Sequence, residues 1–265
     1  MKPFMIVAFG LALFGPALPG RPALPARPAL PAPPAPPASP AQLSQPARRA
    51  PARPIRPAPA KPKGRLFQAQ DLGLLEAPDR DQWQKPDQIL DALSISEGAV
   101  VAELGAAGGW FTLRLATRVG PNGLVYAEDI QQEMIEGIAR RMQRENITNV
   151  KPILGTPSDP RLPPGLDAAL ISDAYHEMAD DPEDPQLIVK LLRNVARSLK
   201  PQGRLGIVDW TPGHGGPGPP ADQRADPNAV IEAARAAGLE LISREDFPPF
   251  VYLLVFGRAN PRGSP

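Results

Sequence analysis

The chain contains no cysteine. That excludes disulfides, a thiol nucleophile and a zinc site built on thiolates. It holds only two histidines, His176 and His214, which argues against a metal site made of several imidazoles. The first 64 residues lack acidic side chains altogether: they carry nine Lys or Arg and no Asp or Glu. The rest of the chain therefore holds 20 basic and 28 acidic residues, a net charge of −8 hidden beneath a whole-chain value of +1. Aromatics make up 5% of the sequence and do not interleave with basic clusters. An acidic folded region of this kind argues against nucleic acid as a partner, because phosphates are gripped by Lys and Arg and bases stack on aromatic rings. Long apolar runs are also missing. The run from Phe4 to Gly15 falls short of the ~20 residues that cross a bilayer as a helix.

That short run follows Lys2 and resembles the first two regions of a secretory signal, with Pro16 to Gly20 permissive for cleavage. Residues 1–20 are thus expected to be a signal peptide or a membrane anchor. Export to the periplasm or membrane anchoring follows, with a cytoplasmic chain as the alternative. Residues 21–64 are dense in proline and alanine, and Arg21-Pro-Ala-Leu-Pro-Ala26 is repeated at once as Arg27-Pro-Ala-Leu-Pro-Ala32. Proline at this density fixes φ and removes donors, so the segment is expected to be a disordered, extended arm. It serves either as a plain linker or as a tether whose Arg residues meet anionic lipid. The folded domain is expected over 65–260.

Within that domain, apolar runs of strand length alternate with runs of helical spacing. Strands are predicted at 99–103, 124–128, 150–154, 167–172 and 204–209, and helices at 110–119, 131–146, 186–199 and 227–237. A loop and an amphipathic helix are predicted within 76–97. Asp226 reads as an N-cap, Pro227 as the first helical residue and Gly238 as the left-handed stop. Two last strands, 239–243 and 250–256, follow one another without a helix and predict a hairpin. The fold class is therefore α/β: a Rossmann-like, doubly wound, seven-stranded and mostly parallel sheet with an antiparallel C-terminal hairpin strand.

In such sheets ligands bind beyond the carboxyl ends of the strands. After the first strand, Glu103-Leu-Gly105-Ala-Ala107-Gly-Gly109 forms a small-residue turn that lets a ligand approach the backbone and leaves helix N–H groups free. After the second come Glu128 and Asp129, where an acid can accept ribose hydroxyls, or where Asp129 can cap the following helix. After the third, Asp159 either accepts from an exocyclic amine or closes a turn before Pro160. After the fourth stand Asp173, Tyr175, His176 and Glu177.

The motifs Glu103-Leu-Gly105-x-Ala107-x-Gly109, Asp129, Asp159 and Leu199-Lys-Pro-Gln-Gly203 resemble those of class I S-adenosylmethionine-dependent methyltransferases. The likeness covers about residues 76–257. Arg80-Asp-Gln-Trp83-Gln84-Lys-Pro86 and Asp173-Ala-Tyr175-His176-Glu177 resemble a bacterial subgroup of predicted methyltransferases. The pattern departs at Ala107, where the family carries glycine and where a methyl narrows the approach to the amino-acid part of the cofactor. The resemblance implies S-adenosyl-L-methionine as cofactor. Glu103 would hold its amino group, Gly105, Ala107 and Gly109 its methionine moiety, Asp129 with Glu128 its ribose, and Asp159 its adenine amine.

On the acceptor side, His176 is the candidate base, since its ordinary pKa lies near neutrality, with Asp173 and Tyr175 beside it. Arg80, Trp83 and Gln84 could close the site from the N-terminal side. The glycine- and proline-rich stretch 211–225, which contains His214, could act as a lid. A small-molecule methyl acceptor is expected. Two other readings stay open: a non-catalytic exported binding module that keeps the fold, and a nucleotide-dependent oxidoreductase. A dinucleotide fingerprint would need glycines where Ala107 and Trp110 stand.

Overall fold

The structure is a computed structural model, and it describes residues 66–181, 183–213, 215, 218–247 and 250–259. The expected signal or anchor, the Pro/Ala arm and His214 lie outside the described residues. Among the described residues, no helix is long and apolar enough to cross a membrane.

Seven strands form one sheet: β1 (Val100–Leu104), β2 (Leu124–Asp129), β3 (Val150–Leu154), β4 (Leu166–Ser172), β5 (Leu199–Trp210), β6 (Leu239–Phe247) and β7 (Val251–Arg258). Their order is β3-β2-β1-β4-β5-β7-β6. The β1–β2, β1–β4, β2–β3 and β4–β5 pairs are parallel. β7 is antiparallel to both β5 and β6, so it alone runs against the rest. The predicted hairpin is therefore present. β5 differs from expectation: it begins at Leu199 rather than 204, because the helix before it stops at Ser198.

Period-two alternation divides the core between the two faces of the sheet. Val101, Ala168, Leu170, Val208 and Leu253 face the helices α2 (Pro86–Ala92) and α3 (Trp110–Val119), meeting Ile89, Leu93, Phe111 and Leu115. Their neighbours Ala102, Ala169, Ile171, Ile207 and Leu254 face the opposite layer. With α1 (Arg80–Gln84) and α4 (Gln132–Arg144) placed, that layer contains α5 (Tyr175–Met178), α6 (Leu187–Ser198) and α7 (Pro227–Ala236). β4 is buried at six of its seven positions, as expected for a strand covered on both sides.

The N-terminal helices differ from the predicted loop and single helix. The expected loop contains α1, and Lys85 at φ 54° separates it from α2. Pro86 accounts for the break: its ring disfavours helical geometry at the preceding residue, while its missing N–H suits the start of a new helix. At α7 the predicted cap is present, with Asp226 accepting from the Asn228 N–H and Gly238 at φ 85°.

Two glycines make opposite predictions. A Cβ on Gly137 in α4 would meet nothing within 4 Å, so Gly137→Ala should raise stability by up to ~1 kcal/mol. A Cβ on Gly123, in the turn between α3 and β2, would lie 2.6 Å from the Val119 carbonyl oxygen and 2.7 Å from that of Ala99. Gly123→Ala should lower stability by ~1–3 kcal/mol. Urea unfolding of both variants checks the pair, and equal midpoints would contradict the geometry.

Candidate active site

β1 lies where the strand order reverses, with β2 on one side and β4 on the other. A cavity of about 520 Å³ opens there, beyond the carboxyl ends of these strands. Its floor is the turn after β1. Gly105, Ala107 and Gly109 have φ values of 68°, 46° and 81°, so three alternate residues sit in left-handed geometry. A Cβ on Gly105 would stand 2.8 Å from the Ala174 Cβ, which explains the glycine. Ala107 holds the same kind of conformation with a side chain, at a cost of ~1–2 kcal/mol. Its N–H donates to Asp129 Oδ2 at 3.0 Å, which holds the turn in place.

Three carboxyl groups surround this turn. Glu103 is 4% exposed and accepts from the Thr112 hydroxyl. Burial raises its pKa to about 8, against the opposing effects of Thr112 and Arg80. Glu128 is 2% exposed, and burial, with Asp129 and Asp159 nearby, raises it to about 8 as well. Its Oε1 has no hydrogen-bond partner. Asp129 is also raised by burial, although the Gln131, Ala107 and Ile130 N–H groups oppose the shift. The cavity wall includes all three.

Beside the turn, Arg80, Gln84 and Asp173 form a buried cluster. Arg80 pairs with Asp173 Oδ2, donates through Nε to Gln84 Oε1 at 3.0 Å, and donates to the Leu75 carbonyl at 2.6 Å. Gln84 Nε2 donates to Asp173 Oδ1 at 3.1 Å and to Ser172 Oγ at 3.2 Å. The Arg80 guanidinium lies 4.1 Å from the Trp110 ring centre. Burial lowers the Arg80 pKa and raises that of Asp173, each partly countered by the other. Arg80 and Asp173 line the cavity; Gln84 and Trp83 do not. Trp83 packs on Trp210 and Phe250, with centroids 5.3 and 6.1 Å away.

Three expectations need correction. The one-turn helix α5 directs Ala174, Glu177 and Met178 to the cavity but neither Tyr175 nor His176. Tyr175 is 3% exposed within the core, and burial keeps its phenol protonated above the usual range. His176 donates its backbone N–H to Asp209 Oδ2 at 2.9 Å and places Nδ1 3.0 Å from Asp209 Oδ1. Burial alone would lower its pKa, but Asp209 outweighs that and raises it. Asp159 is exposed and closes a turn: its Oδ1 accepts the Arg161 N–H at 2.8 Å, and its backbone pairs with Thr156. Thr156 and Pro157 take its place in the wall. The stretch 211–225 contributes nothing to the cavity wall among its described residues. Arg224 ties it together by donating to the carbonyls of Thr211, Gly215 and Pro219.

The sequence reading missed Asp209 and the roof. Phe67, Leu72 and Leu75 cover the cavity from the 3-10 segment Ala69–Glu76 and the residues before it. This roof is fastened by the Glu76–Arg141 ion pair and by the Phe67 N–H to Glu177 Oε2 at 3.2 Å. The apolar spacing of Leu72 and Leu75 was a signal for it.

Residues 101–203 match the family described as methyltransferase domain. The strand order and the antiparallel β7 give the chain the fold of the class I methyltransferases. The structure aligns with a crystal structure of a SAM-dependent methyltransferase from Aquifex aeolicus at a TM-score of 0.66 and 23% identity, covering 72% of this chain and 98% of that one. Nocamycin O-methyltransferase of Saccharothrix syringae is 28% identical over 52% of this chain and 44% of its own length. Protein-L-isoaspartate O-methyltransferase of Methanothrix thermoacetophila is 32% identical over 43% of this chain and 51% of its own. The chain thus spans about half the length of these curated relatives.

Removing one member of the Arg80–Asp173 pair should strand a buried charge. Arg80→Met is expected to destabilise the folded domain by ~3–5 kcal/mol, whereas removing a surface ion pair such as Arg235–Glu232 should cost under ~1 kcal/mol. Chemical denaturation of the two variants makes the comparison, and similar midpoints would refute it.

Proposed function

We propose that the chain transfers a methyl group from S-adenosylmethionine to a small-molecule acceptor. The observation that carries this reading is the meeting of a left-handed glycine turn and three buried carboxyls in one cavity at the strand-order switch. The site fits the cofactor on its own features: Glu128 Oε1 is a buried acceptor without a donor, and Gly105 leaves space that a side chain would fill. The bound cofactor would supply a methyl group activated by its sulfonium.

The protein's own contribution is binding, orientation and exclusion of water. Glu103 would hold the ammonium end, and the 105–109 backbone would meet the methionine portion. Carboxyls at the end of β2 would take the ribose, and Thr156 with Pro157 would border the base. Phe67, Leu72 and Leu75 roof the site against solvent. Asp173, fixed by Arg80 and Gln84, would border the acceptor. Nocamycin O-methyltransferase supports a small molecule as the acceptor class. The acidic domain supports the exclusion of nucleic acid. Residues 1–64 would export or tether the domain.

Two outcomes test this. S-adenosylhomocysteine should bind the full chain at one site, and no binding would overturn the reading. At neutral pH the Glu103 carboxyl, raised to about 8, is mostly protonated; an ammonium partner lowers its pKa, so binding should release protons and tighten from pH 6 towards 8. Calorimetry in buffers of different ionisation heat measures the release, which Glu103→Gln should diminish. Separately, N-terminal sequencing after cell fractionation should find a shortened chain outside the cytosol or an intact one in the membrane. An intact chain in the cytosol would reject export and anchoring.

A further inference from the structure

The helix α5 is a single turn of four residues. A turn this short cannot hold its own orientation, because it fixes several dihedrals for one or two hydrogen bonds. Its N-cap position is Ala174, which has no side chain to accept the free N–H groups of the helix start. Asp209, at the end of β5, does so from a distance. Its carboxyl is fully buried. Oδ2 accepts the His176 backbone N–H at 2.9 Å, while Oδ1 accepts the Trp210 N–H at 2.7 Å and lies 3.0 Å from His176 Nδ1. A carboxylate only accepts, so the ring hydrogen sits on Nδ1. His176 is thereby gripped through both its backbone and its ring.

What α5 carries is a part of the cavity wall. Ala174 and Met178 lie against the turn after β1: a Cβ on Gly105 would stand 2.8 Å from the Ala174 Cβ and 3.0 Å from the Met178 Cε. Glu177 Oε2 accepts the Phe67 N–H at 3.2 Å. From the opposite side, Gln131 Nε2 donates to the Phe67 carbonyl at 3.1 Å. The peptide groups of this roof residue are thus fastened on two sides. The 3-10 segment Ala69–Glu76, which continues the roof, has no fully buried residue. Cover of that kind depends on its polar fastenings more than on apolar burial.

Resting on the methyl-transfer reading for its consequence, we propose that His176 is a positioning residue: its Nδ1–Asp209 bond sets α5, and through Glu177 it sets the closure of Phe67 over the cavity. His176 does not touch the reacting atoms. Its effect on the reaction is the exclusion of water from a site it does not line.

The test uses the full chain and two substitutions that both remove the imidazole. Asn places its amide nitrogen near the position of Nδ1, whereas Gln reaches past it. Hydrogen exchange of the peptide containing Phe67, read by mass spectrometry, reports closure, and calorimetry with S-adenosylhomocysteine reports binding. His176→Asn should exchange within about threefold of wild type and His176→Gln about tenfold faster or more, the change expected when one hydrogen bond's share of local stability is lost. Binding of S-adenosylhomocysteine should weaken in His176→Gln and not in His176→Asn. Glu177→Ala cuts the fastening but leaves the Asp209 bonds, so it should speed exchange at Phe67 and leave that of α5 as in wild type.

Equal exchange in the Asn and Gln variants, whether fast or slow, would overturn the assignment. So would a Phe67 amide unprotected in wild type, or one still protected in Glu177→Ala. A His176→Gln chain that fails to fold would make the bond a support of the whole domain rather than of the roof, and would overturn it as well. Failure of wild type to bind S-adenosylhomocysteine would remove the cofactor reading, and the exchange measurements would still decide the role of His176.

Discussion

The Asp129 carboxylate bridges the ends of two adjacent strands, and the geometry of the cavity floor depends on it. Through the Ala107 N–H it holds a non-glycine residue in left-handed conformation, and through the Gln131 N–H it meets the start of α4. A charge-assisted bond to backbone N–H contributes roughly 1.5–3 kcal/mol, which is enough to offset the strain at Ala107. The turn can therefore carry a methyl where a glycine would be free of cost. Gly105 and Gly109 hold the other left-handed positions, and the first of them could not bear a Cβ against Ala174.

Around that floor the protein keeps polar groups under cover in two ways. The Arg80–Asp173–Gln84 cluster is satisfied internally, each charge meeting a partner and the guanidinium also lying on Trp110. It behaves as a fixed wall. Glu103 and Glu128 are instead raised towards neutrality by burial, with one carboxyl oxygen of Glu128 left over. A paired cluster has little left to give a ligand. Carboxyls held near neutrality by desolvation respond strongly when a cation or a donor arrives, because low dielectric amplifies each new partner. Rigidity and responsiveness are thus assigned to different sides of one cavity.

Much of this was legible in the sequence for a simple reason: ligand groups in an open parallel sheet stand at strand ends, and strand ends are marked by changes in hydrophobic period. Glu103, the glycine turn, Glu128, Asp129 and Asp173 were found that way and line the cavity. What was not legible depends on which way a side chain turns or on a distant partner. Tyr175 and His176 sit in the expected segment, but a single helical turn points them elsewhere. Asp209 lies 33 residues from His176, and nothing local marks the pairing. Asp159 had two readings, a ligand contact and a turn, and local bonding to Arg161 decided for the turn. The roof was marked only by Leu72 and Leu75 at i, i+3, a spacing too short in an eight-residue 3-10 segment to single out on its own.

The roof also connects the two sides of the site. Arg80 reaches the Leu75 carbonyl from the paired cluster, and Arg141 joins Glu76 to the Gly108 carbonyl on the floor. The segment that covers the cavity is thus bonded both to the Arg80–Asp173 cluster and to the turn after β1. A ligand that shifted the turn would pull on Gly108, and through Arg141 on Glu76. Loss of the Arg80–Asp173 pair would release the same segment at Leu75. Closure of the cavity and integrity of its floor therefore share the same few hydrogen bonds. A substitution at Arg80 or Arg141 should loosen solvent exclusion and turn geometry together rather than one at a time.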